Sequence, residues 1–162
     1  MNKTKRLVTL SAVVAAAMML SFIEAKIPTF IPVPGVKLGL ANIAVIFTMY
    51  KFNEGRAAAV SLVRIALSAL LFGSFASLIY SLAGAALSLS LMIASRRVFK
   101  LHTVGVSIIG GVSHNIGQIA AAALVMGTAS IIYYLPVLII SGTLAGIVIG
   151  LISNVLIKRI KL

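Results

Sequence analysis

The sequence predicts an all-α, polytopic membrane protein with six transmembrane helices and both termini in the cytoplasm. Three observations predict it. Of 162 residues, 61% are hydrophobic and only 10% charged, against roughly 25% charged in soluble domains. Mean hydropathy is +1.18, more apolar surface than a soluble domain of this size can bury. The 14 Lys and Arg residues fall in short clusters between apolar runs, the pattern of membrane topology rather than a basic stripe for nucleic acid.

Polar breaks divide the chain into spans at 7–23, 37–50, 57–72, 75–94, 103–126 and 133–157, a single integral membrane domain over 1–162. The first follows a basic start, but no A-x-A cleavage context ends it, so it is expected to remain as a helix. The second and third are short, since about 20 residues are needed to cross about 30 Å of hydrocarbon. They are expected to be tilted, to extend further, or to be covered by neighbours. The third ends at "FGS", and the fourth and fifth are full length. The sixth opens on Tyr133 and Tyr134, where an aromatic belt would form.

With the N-terminus inside, 11 of the 14 basic residues fall in cytoplasmic segments: Lys3, Lys5 and Arg6; Lys51 and Arg56; Arg96, Arg97 and Lys100; Lys158, Arg159 and Lys161. Lys26 and Lys37 occupy the first outside connection, and Arg64 lies inside the third span. Every alternate connection obeys the positive-inside rule.

Small residues recur in "AVVAAAMM", "AGAAL", "AAAALVMG" and "SGTLAGIVIG", as close helix approach in lipid requires. The patch at Ala12, Ala15 and Ala16 either packs within the bundle or seats a partner helix.

Several chemistries are excluded. There is no cysteine, hence no disulfide, thiolate chemistry or cysteine metal site. There is no aspartate, and Glu24 and Glu54 are the only acids. Two distant glutamates cannot hold Mg²⁺ for a diphosphate enzyme, and a Ser-His-Asp triad lacks its third member. No GxxxxGK[ST] phosphate loop is present. The chain is therefore expected to be no enzyme and to carry neither cofactor nor metal. A proton-driven carrier remains open, with Glu24, His114 and Arg64 as relay groups.

Polar residues inside spans mark candidate sites. "GGVSHNIGQIA" places His114 and Gln118 four apart on one helical face, with Asn115 beside them. His114 falls near mid-span, where an ionisable residue serves either a ligand or an interhelical hydrogen bond. Arg64 in "SLVRIALSALL" either snorkels inward, faces an anion, or meets a salt-bridge or subunit partner. Tyr80 and Tyr133 either anchor the membrane interface or line an outward-facing cavity. The connection "EAKIPTFIPVPGVKLG" holds Pro28, Pro32 and Pro34, which forbid a regular helix. Gly35 and Gly39 permit turning, Lys37 opens the second span, and Asn42 follows. This is the only long outside loop, apolar and proline-stiffened, and it reads as a lid.

At "PGVKLGLANI" together with "SHNIGQ", over nearly its whole length, the chain resembles the small bacterial membrane proteins called the Gx transporter family or heptaprenyl diphosphate synthase component I. That family is similar to the substrate-binding S-components of energy-coupling-factor (ECF) vitamin transporters. The resemblance implies a six-helix S-component-like bundle in the bacterial cytoplasmic membrane, binding a small molecule among membrane lipids. It also implies a transmembrane coupling subunit driven by two cytoplasmic ATPases. By the same resemblance the lid is 24–37, including Glu24. The pocket candidates are Lys37, Asn42, Tyr80, His114, Asn115, Gln118 and Tyr133, with Arg64 as anion or coupling contact. Ala12 and Ala16 would form the docking patch. Prenyl diphosphate synthases carry aspartate-rich motifs, which this chain lacks, so the synthase name implies at most a noncatalytic membrane component. A standalone secondary transporter is the third reading.

Overall fold

Helices start and stop where the side chains can satisfy the backbone. The Asn53 side chain accepts a hydrogen bond from the Arg56 N–H at 2.9 Å and caps one helix. Ser74 and Ser77 cap another reciprocally, at the break predicted from "FGS". The computed structural model describes residues 2–26 and 39–160. It contains α1 (Lys3–Lys26), α2 (Asn42–Lys51), α3 (Glu54–Phe72), α4 (Phe75–Arg97) and α5 (Thr103–Met126). A 3-10 turn (Ser130–Tyr134) then leads into α6 (Leu135–Arg159). No strand occurs among the described residues.

Five of these helices are long and apolar enough to cross a membrane. Of the six expected crossings, the second is described only from Gly39 onward, since residues 27–38 lie outside the described residues. Helix α2 has only 10 residues, about 15 Å at 1.5 Å per residue, half the hydrocarbon thickness. The apolar run read over 37–50 reflects burial within protein. Ile43 through Met49 are all buried, as expected of a helix that is apolar on every side. The large apolar side chains that remain exposed, such as Leu70 at 82% and Leu124 at 84%, suit lipid. The chain is a multi-pass membrane protein.

Contacts between helix ends gather the charges. Arg97, at the end of α4, hydrogen-bonds Glu54, at the start of α3. Arg96 donates to the Met49 carbonyl at 2.8 Å and stacks over Tyr50 at 4.4 Å, near the end of α2. Lys3 and Arg6 of α1 share a groove with Arg56. Leu156 and Ile157 of α6 pack on the same core cluster as Tyr50. The starts of α1 and α3 and the ends of α2, α4 and α6 thus form one basic end.

Helix α5 is the spine, packed between α4 and α6. Gly142, Gly146 and Gly150 recur every four residues along α6. At Gly146 a β-carbon would stand 2.7 Å from the Ile108 Cα of α5, so only glycine allows this approach. Two apolar clusters fill the interior. Ile46, Met49, Met92 and Val106 belong to one, toward the basic end. Ile119, Ala122, Ile131 and Leu138 form the other. Along α5, Gly111, His114 and Asn115 fall between Val106 and Ile119, and there the interior turns polar.

Candidate functional site

Between the two clusters lies a cavity of about 50 Å³ whose walls include Glu24, Asn42, Arg64, Ser107, His114 and Asn115. Arg64 stands ten residues into α3, about 15 Å from the basic end. His114 is eleven residues into α5, about 17 Å along it. Two ionisable groups therefore sit near mid-membrane, where charge is costly and usually functional.

Each side chain is delivered by a local pattern. On α1, Ala17, Ser21 and Glu24 are the buried residues; their spacing of four and three makes one inward stripe. Glu24 accepts a hydrogen bond from the Gly39 N–H, at the turn that leads into α2. Gly39 has φ of +74°, a left-handed conformation that glycine adopts without steric cost. The Glu24 carboxylate also lies within electrostatic reach of Arg64.

Helix α5 divides its polar motif between two neighbours. His114 and Gln118 share a face, as their spacing predicts. A β-carbon on Gly84 of α4 would meet Gln118 Cγ at 2.8 Å and His114 Cε1 at 3.0 Å. Asn115 turns the other way, and its Nδ2 donates to the Leu138 carbonyl of α6 at 2.8 Å. Two atoms among the cavity-lining residues, Ser107 Oγ and Arg64 Nε, are buried without a hydrogen-bond partner among the described residues. Such atoms favour a polar occupant, and the cavity has room for a few waters.

The structure brings Glu24, Asn42, Arg64, His114 and Asn115 together at this cavity. It does not bring the other candidates there. Gln118 is buried at 5% exposure against α4. Tyr80 packs on the second apolar cluster, and Tyr133 is 87% exposed in the 3-10 turn. Lys37, Pro28, Pro32, Pro34 and Gly35, and with them most of the expected lid, lie outside the described residues. Ala12 and Ala16 are exposed on α1, away from its buried stripe. Sequence reasoning missed Ser107, Gly142 and Gly146 as cavity lining. The four-residue glycine repeat of α6 was the available signal, because it fixes which face of α6 meets α5. Among the described residues no group of three or more His, Cys, Asp or Glu could hold a metal.

The fold and site define a polytopic helical membrane protein with a polar chamber enclosed in its bundle. The family model described as heptaprenyl diphosphate synthase component I matches residues 13–156, and the chain belongs to that family. It shares its fold with the S component of a bacterial ECF transporter. The TM-score is 0.67 at 22% identity, over 98% of this chain and 96% of that one. No curated protein matches the chain.

Proposed function

We propose that this protein is the substrate-binding membrane subunit of an ECF-type uptake system, and not an enzyme. The observation that carries the reading is the chamber itself. Arg64, Glu24 and His114 line one small cavity inside the membrane bundle, at a depth where charge persists only for a purpose. The S-component fold supports the assignment. The solute is small and polar, with a hydrogen-bond acceptor for Arg64. Ordinary ligand sites occupy about 300–1,000 Å³, so the walls part when it enters. By the positive-inside rule the basic end is cytoplasmic, which puts both termini in the cytoplasm of a bacterial cell.

A coupling subunit and its ATPases supply the energy, since the chain has no phosphate loop of its own. The exposed Ala12 and Ala16 of α1 form the docking patch, where small residues let a partner helix approach. Ala12→Leu is expected to leave bound solute unchanged. Co-purification of the coupling subunit and ATPase pair in mild detergent should fall at least tenfold. Equal recovery from both proteins would remove the patch from the interface.

The family match favours one second reading, a noncatalytic membrane component of heptaprenyl diphosphate synthesis. With no aspartate in the chain, the Mg²⁺-diphosphate chemistry would belong entirely to a partner. The same pull-down separates the readings: an ATPase pair supports the first, and a soluble aspartate-rich synthase supports the second. Transport by the purified protein alone in proteoliposomes would instead identify a secondary carrier.

A further inference from the structure

At the basic end, the starts of α1 and α3 flank an open groove of about 450 Å³ lined by Lys3, Thr4, Arg6, Leu7, Leu10 and Arg56. Three cations and no carboxylate face it. The chain has only two acidic side chains, and both are engaged elsewhere. Glu54 takes Arg97, while Glu24 accepts the Gly39 N–H at the chamber. Arg56 stacks at 5.8 Å from the Phe52 ring, which neutralises none of its charge. Leu7 and Leu10 lie one helical turn apart on α1, on the side that lines the groove. Cations at the rim and an apolar floor beneath them match a molecule with an anionic head and a hydrocarbon tail.

We propose that this groove binds an anionic phospholipid. Lys3, Arg6 and Arg56 hold its phosphate, and one acyl chain lies along Leu7 and Leu10. The assignment is independent of the chamber and of what the chamber binds. Each basic residue near an anionic membrane surface favours such a lipid about fivefold, so the three together give a preference on the order of a hundredfold.

The test uses the purified full-length protein in a neutral detergent, titrated with phosphatidylglycerol or phosphatidylcholine and read by native mass spectrometry. Phosphatidylglycerol adducts should form at concentrations at least tenfold lower than phosphatidylcholine adducts. Arg6→Gln combined with Arg56→Gln should weaken phosphatidylglycerol binding about 25-fold, with elution on size exclusion unchanged. Lys158→Gln with Arg159→Gln, at the end of α6 and outside the groove, should leave it within twofold and controls for general surface charge. Excess inorganic phosphate should not displace the lipid, because the tail contributes to binding. Equal affinity for the two lipids, full displacement by phosphate, or an unchanged preference in the Arg6/Arg56 variant would each overturn the proposal. Should that variant keep its lipid but lose a co-purifying membrane subunit, the groove is a protein-docking surface instead.

Discussion

Arg64→Met is expected to destabilise the protein by about 1–3 kcal/mol, because it takes away the half-buried guanidinium that interacts electrostatically with the buried Glu24 carboxylate. Methionine fills similar volume, so the loss is electrostatic rather than steric. It leaves the Glu24 carboxylate buried with the Gly39 N–H and without the guanidinium that acts on it. Glu24→Gln in the same chain should recover part of the loss, because the amide oxygen still accepts from the Gly39 N–H and the buried negative charge is gone. Chemical unfolding in detergent micelles, followed by circular dichroism across the four proteins of the cycle, gives the coupling directly. Additive single and double variants would show that Arg64 and Glu24 act separately, and would remove their coupling from the account of the chamber.

Gly146→Ala should be destabilising by about 1–3 kcal/mol, the range for overpacking. The sign is informative, because the same change in an exposed soluble helix stabilises by about 1 kcal/mol. Here the new β-carbon would stand 2.7 Å from Ile108 Cα and 3.0 Å from the Ser107 carbonyl, and backbone cannot move aside as a side chain can. Helix α6 must withdraw from α5, which opens the chamber on the wall that Gly146 lines. Gly105→Ala, on α5 itself, is the matched control. Its β-carbon would meet only the Leu101 side chain, at 3.4 Å or more, so stability should hold or rise. Thermal midpoints in detergent measure both, and a Gly146 variant as stable as the Gly105 variant would show that the α5–α6 contact is looser than described.

Composition, charge clusters and polar breaks make the membrane bundle legible in the sequence. Four of the five crossing helices end within three residues of their predicted bounds at each end, and α1 begins four residues early. The second span is the one whose described helix, Asn42–Lys51, is too short to be told from a buried segment. An apolar run looks the same whether lipid or protein surrounds it, and α2 is enclosed by protein. In the candidate site, Glu24, Arg64 and His114 stand out in a chain this apolar, and all three line one cavity. Tyr133 is 87% exposed and does not line the cavity, and an aromatic at a helix start suits a lipid interface as well as a pocket mouth. Ser107 gave no signal, since a serine on a transmembrane helix most often bonds its own preceding turn, as Ser113 does with the Ile109 carbonyl. Ser107 Oγ is instead buried without a hydrogen-bond partner among the described residues.

The central claim is that the chamber around Arg64 holds a small polar solute. The direct measurement is native mass spectrometry of the protein purified in mild detergent from its own membranes. A Glu24→Gln/Arg64→Met variant, chosen to keep the fold, serves as comparison. The account predicts a single small-molecule adduct on the unaltered protein, released on gentle activation and absent from the variant. An adduct of equal occupancy on both, or a prenyl diphosphate as the only molecule bound, would contradict it.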